Sequence, residues 1–128
     1  VLITIPTKEQ LKMGIELTAP QALDVWRSSI VESVRRDSPD LSARQMALLL
    51  TVYLDPQPHT VRKLAEHLNI SKPAVTRAID RLAEYDFVKR KQDETDRRSV
   101  LIQRTVKGSV FLRDFGDIIV RNAAQTEK

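Results

Sequence analysis

The sequence predicts a mainly α-helical protein with one small two-stranded β ribbon. Three observations predict it. Apolar residues recur at helical spacing in five segments, and each of these opens on a serine or threonine that can cap a helix (Thr18, Ser42, Thr60, Ser71 and Thr105). The period changes to short runs with β-branched residues only at residues 87–91 and 99–104. A chain of 128 residues that is 41% apolar fits one domain with an ordinary core.

The elements follow in order. Residues 1–17 are weakly patterned and read as an arm or a short first helix. Thr18 and Gln21 have capping-box spacing, Pro20 suits a first turn, and Ala22, Leu23, Trp26, Ile30 and Val34 carry a helix to about Arg36. Ser42 and Gln45 form a second capping box ahead of Met46, Leu49, Leu50 and Tyr53, and the run from Asp55 to His59 is a turn. Thr60 caps a short third helix with Val61, Leu64, Ala65 and Leu68 inward; Asn69 and Ile70 lead to Ser71. Ser71 opens a fourth helix with Pro73 in its first turn and Val75, Ala78, Ile79 and Leu82 inward. Two antiparallel strands then flank the polar run 92–98. Thr105 caps a last helix whose stripe is Val106, Val110, Phe111, Phe115, Ile118 and Ile119, and the tail from Gln125 reads as frayed.

Composition excludes several classes of function. With no cysteine, disulfides, thiolate redox sensing and cysteine metal sites are closed to this chain. The apolar residues 1–5 fall far short of the roughly 20 that span a bilayer. With Pro6 behind them and no basic flank ahead, they do not read as a signal peptide. No membrane partner and a cytoplasmic location are expected. The two histidines, His59 and His67, lack metal-site spacing, and Gly14, Gly108 and Gly116 build no phosphate cradle. No hydrolase, nucleotide or dinucleotide motif is present, so no enzyme activity, no metal and no cofactor are expected.

Net charge is +4, and its placement is informative. Residues 1–59 carry 6 basic and 7 acidic side chains, residues 60–107 carry 12 and 7, and residues 108–128 carry 3 and 3. Positive charge thus gathers in the middle third, as a footprint on a polyanion would.

That stretch holds two short helices joined by about three residues, the spacing of a helix-turn-helix. In this motif the second helix enters the major groove with its first turns against base edges. Its side away from the core carries Lys72, Thr76, Arg77, Asp80 and Arg81. Arginine spans two acceptors on a guanine edge, and a threonine methyl can meet the thymine methyl. The N–H groups opened by the Ser71 cap can receive a phosphate. The bland alternative is a surface helix kept soluble by pairing Asp80 and Glu84 with Arg77 and Arg81. The ribbon that follows adds Lys89 and Lys91 on one face, Arg90 on the other, and Arg97 and Arg98 at the tip, where arginine suits a narrow minor groove. Asp93, Glu94 and Asp96 would hold these arginines through local ion pairs.

The run Leu64-Ala65-Glu66-His67-Leu68-Asn69-Ile70-Ser71-Lys72-Pro73-Ala74-Val75-Thr76-Arg77, continued by Ile79-Asp80-Arg81-Leu82 and Phe87-Val88-Lys89-Arg90, resembles the DNA-binding core of the MarR family of winged helix-turn-helix regulators. Residues 93–98 are similar to that family's D-x-R-D-R-R signature, with Thr95 in place of its usual arginine, and residues 105–108 match its T-x-x-G. The resemblance implies major-groove work for Thr76 and Arg77 and wing work for Arg97 or Arg98. It implies a homodimeric repressor of near-palindromic operators, often released from DNA by a small aromatic or lipophilic effector.

The expected fold is therefore a winged helix-turn-helix with flanking dimerisation helices: a DNA-binding core at 42–104 and dimerisation helices at 18–36 and 105–125. Expected DNA-binding residues are Ser71, Lys72, Pro73, Thr76, Arg77, Arg81, Lys89, Lys91, Arg97 and Arg98. The expected dimer face is Leu23, Trp26 and Ile30 with Phe111, Phe115, Ile118 and Ile119. Relatives pair through a first helix and two C-terminal helices, whereas the 24 residues from Thr105 onward suffice for one helix about 30 Å long. The competing function is a winged-helix protein-interaction module, which would bind DNA weakly and with shallow salt dependence.

Overall fold

The computed structural model describes residues 16–126, so the arm expected over 1–17 lies outside the described residues except for Glu16 and Leu17, which are non-helical. Among the described residues the order is α1 (Ala19–Arg35), α2 (Ala43–Leu54), α3 (Val61–Leu68), α4 (Lys72–Glu84), β1 (Val88–Gln92), β2 (Val100–Arg104) and α5 (Val106–Thr126). They fall into two compact units, Leu41–Phe111 and a second made of residues 16–40 and 112–126.

Each helix begins where its cap places it. Thr18 Oγ1 accepts from the Gln21 N–H at 3.3 Å, and Gln21 Oε1 accepts from the Thr18 N–H at 2.9 Å. Ser42 and Gln45 repeat this box at 3.1 and 2.9 Å. Thr60, Ser71 and Thr105 accept from the N–H of the third residue on, at 3.2, 3.2 and 3.0 Å. Each such cap contributes about 1 kcal/mol.

In the first unit, α2 packs on α4 and β2, and α3 packs on α4. The core is Leu48, Leu49, Val52, Leu64, Val75, Ile79, Leu82, Phe87, Val88 and Ile102. All four residues expected inward on α4 are buried, and Ala74 joins them. On α2 half of the expected face is covered: Leu49 and Tyr53 are buried, but Leu48 and Val52 are covered with them, whereas Met46 and Leu50 are half-buried. Residues 46–50 are apolar all round, so periodicity alone does not select a side.

In the second unit the residues expected at the dimer face divide between exposed and covered positions. The apolar stripe of α1 is outside: Leu23 is 69% exposed, Val34 68%, Trp26 47% and Ile30 40%, while Val25 and Ser29 are buried. Ser29 Oγ donates to the Val25 carbonyl at 2.7 Å and accepts from Asn122 Nδ2 at 3.2 Å, so a polar pair occupies part of the covered side. On α5, Phe115 and Ile118 are 8% and 4% exposed, and Leu112 is buried beside them. Phe115 meets the Trp26 ring edge-on with centroids 5.9 Å apart. These two side chains therefore spend their surface inside the chain and offer little to a second copy, while Phe111 and Ile119 are half-buried.

Candidate nucleic-acid interface

The helix-turn-helix is set by two helix ends. At the end of α3, Asn69 is left-handed (φ 54°), with the Ile70 N–H donating to the Ala65 carbonyl at 3.1 Å and the Asn69 N–H to the Glu66 carbonyl at 3.3 Å. This is the six-to-one, five-to-two closure of a Schellman motif. Three residues, Asn69 to Ser71, separate α3 from α4. The end of α4 repeats the device: Asp86 is left-handed (φ 60°), and Phe87 donates to the Leu82 carbonyl at 3.0 Å. Aspartate tolerates that conformation better than most side chains. The burial of Phe87 then anchors the start of the wing.

On α4 the side opposite the core carries Lys72, Pro73, Thr76, Arg77, Asp80 and Arg81, all exposed. The acids there are paired only in part as the sequence suggested. Arg81 does meet Glu84, at 3.0 Å, and its guanidinium also lies 4.8 Å from the centre of the Tyr85 ring. Asp80, however, pairs with Arg90 of β1. Among the described residues Lys72 and Arg77 have no ion-pair partner, so the first turns of α4 present free cations.

The wing pairs Val88 with Arg104 through Gln92 with Val100, antiparallel and in continuous register. The Ile102 N–H donates to the His59 carbonyl at 2.9 Å, and Thr60 bridges Leu101, which ties the ribbon to the start of α3. At the tip, Asp93 Oδ1 accepts from the Thr95 hydroxyl at 2.7 Å and the Thr95 N–H at 3.0 Å. The hydroxyl first, then the N–H, holds the Asp93 carboxyl below its ordinary range. Asp93 thus shapes the turn instead of clamping an arginine, and Thr95 supplies the bonds. Asp96 meets Arg98 at 3.5 Å and also accepts from its N–H at 3.2 Å. Among the described residues Arg97 and Glu94 have no ion-pair partner, so of the expected wing pairs only Asp96–Arg98 forms.

Lys72 and Arg98 line one cleft of about 880 Å³ between α3, the start of α4 and the wing. Arg62 and Lys63, which the sequence reading did not single out, line it too. Lys89 and Lys91 are exposed on the ribbon face opposite Arg90.

Behind this surface lies a junction that sequence pattern did not reveal. Tyr53 Oη accepts from the Thr105 N–H and lies 2.8 Å from the Phe87 and Thr105 carbonyl oxygens. Thr105 Oγ1 donates to the Asp86 carbonyl at 2.7 Å. Arg104 donates to the Val52 and Asp55 carbonyls at 3.1 and 3.4 Å, placing a cation at the end of α2 where the helix dipole favours one. His59, expected in a loop, is buried, with Nε2 3.1 Å from the Asp55 carbonyl oxygen. His67 is exposed, 4.0 Å from the Asp55 carboxylate. Among the described residues no three His, Asp or Glu side chains are placed to hold a metal ion, and no helix is long and apolar enough to cross a membrane.

The model of the MarR family matches residues 41–100, a span that holds α2, α3, α4 and most of the wing. A MarR transcriptional regulator from Methanosarcina mazei Go1 is 26% identical, with 77% of this chain and 70% of that one covered and a TM-score of 0.60. MepR of S. aureus in a DNA complex is similar in fold at 21% identity, with 83% of each chain covered and a TM-score of 0.68. A mutant MarR of E. coli complexed with operator DNA is 21% identical, with 83% of this chain and 70% of that one covered and a TM-score of 0.63. A comparison with curated protein sequences finds no match. Residues 41–100 are thus matched by the MarR family of winged helix-turn-helix, DNA-binding regulators, and the chain shares the fold of that family's solved members.

Proposed function

We propose that the chain is a sequence-specific repressor that binds a near-palindromic operator as a homodimer. Its DNA-binding core is 42–104, and its dimerisation helices are 18–36 and 105–125. The observation that carries the reading is the capped, acid-free first half of α4, with Lys72, Thr76 and Arg77 exposed beside a basic wing. α4 enters the major groove, Ser71 and Pro73 set its first turn against the backbone, and Arg97 and Arg98 reach the minor groove. Lys89 and Lys91 meet phosphates. Arg81, engaged with Glu84 and Tyr85, contacts DNA from a fixed position. A protein-facing surface would draw on Asp80, Glu84 and Asp86, and two of the three, Asp80 and Glu84, are tied to arginines.

Fluorescence anisotropy on the DNA upstream of the protein's own gene, against a scrambled duplex of equal length at about 150 mM salt, tests this. Tighter binding to the first duplex is expected, falling by orders of magnitude between about 50 and 200 mM salt. Equal affinity for both would refute sequence-specific repression. A thermal-shift screen of small aromatic and lipophilic compounds, with hits checked for DNA release, tests effector control.

Within that experiment Arg77→Ala is expected to lose about 1–3 kcal/mol of discrimination between the two duplexes, the worth of one bidentate base contact. Lys91→Ala is expected to weaken binding to both alike. An unchanged specificity ratio for Arg77→Ala would show that the groove assignment is wrong.

A further inference from the structure

We propose that Arg90 is a positioning residue of the reading surface: it neutralises Asp80, the acid on the groove side of α4, and so couples that helix to the wing. The inference rests on the DNA-binding reading above. Asp80 lies three residues after Arg77 and four after Thr76, on the side expected to meet base edges, and its side chain is 57% exposed. A bare carboxylate there would face the phosphates of both groove walls.

Strand geometry selects its partner. Paired residues of an antiparallel ribbon point to the same face, and neighbours along a strand alternate. Arg90 pairs with Ile102, which is fully buried, whereas Lys89 and Lys91 pair with Gln103 and Leu101. Arg90 is therefore the one cation of the three that turns back toward α4, where it reaches Asp80. Its side chain is 37% exposed against 57% for Asp80, so the pair lies at the surface, where salt screens it. Two elements that enter different grooves are thereby linked through one ion pair, ten residues apart in sequence.

The test is a double-mutant cycle on DNA affinity. Arg90→Ala is expected to weaken binding to both duplexes roughly ten-fold, because like charges are then brought together. In the Asp80→Asn background the same substitution is expected to cost less than about two-fold. Lys89→Ala, the control, is expected to cost the same in both backgrounds. Melting curves verify that each variant is folded. Equal losses for Arg90→Ala in both backgrounds would overturn the proposal and make Arg90 a direct phosphate contact. A changed specificity ratio for Asp80→Asn alone would also overturn it, by making Asp80 a base reader. The cycle is read on the scrambled duplex as well, so a wild-type protein without sequence preference would refute the repressor reading and still leave the Arg90 result legible.

Discussion

Aspartate at both Leu23 and Ile30 is expected to split the proposed dimer into chains of 14.6 kDa and to lower operator affinity by about two orders of magnitude or more. One recognition helix reads only a few base pairs, so tight binding needs two heads about 34–36 Å apart. Joining the heads makes the second docking intramolecular, and that gain disappears with the dimer. Leu23 and Ile30 are 69% and 40% exposed, so charging them costs the isolated chain little. Across a two-fold axis each carboxylate would meet an apolar surface or its own copy. Light scattering at micromolar concentration and melting curves check the result: half the mass, with little change in unfolding. A wild-type chain that is monomeric and still binds a palindromic operator tightly would refute this architecture. Ile118→Asp is not an equivalent probe. At 4% exposed, Ile118 would carry a charge into the interior, and that variant is expected to unfold.

Gly108→Ala is expected to destabilise the fold by about 1–3 kcal/mol, the usual cost of overpacking. A Cβ at Gly108 would lie 2.9 Å from Tyr53 Cζ, and closer still to Tyr53 Oη and the Phe87 carbonyl oxygen. The Phe87 carbonyl is backbone at the root of the wing, and Tyr53 Oη is held by Thr105, so neither yields easily. Gly116→Ala is the matched control: its Cβ would meet nothing within 4 Å. Because alanine is the better helix former, that variant is expected to gain up to about 1 kcal/mol. Thermal melting should move the two variants in opposite directions. If Gly108→Ala melts with the wild type, the Tyr53 hydroxyl is not held rigidly between Phe87 and Thr105.

What could be read in the sequence was whatever is closed within a few residues. The five caps at Thr18, Ser42, Thr60, Ser71 and Thr105 each bond a partner three positions on, so their signals are complete locally. The inward face of α4 and the alternation of β1 follow from period alone, and they already placed Thr76 and Arg77 outward and separated Arg90 from Lys89 and Lys91. Tertiary structure decided the partners that lie far apart in sequence. Asp80 had arginines at hand three positions before and one after, yet Arg90 reaches it because the Asp86 turn folds the wing back beside α4. Tyr53 looked like one more apolar position on α2, and its hydroxyl closes a junction with residues 34 and 52 positions away. The stripe of α1 was legible as apolar and as a candidate outer face, whereas Phe115 and Ile118 were legible as apolar but not as covered. A side chain's hydrophobicity is its own property. Whether it is buried depends on which other segment arrives to cover it, and only the folded chain brings that segment into place.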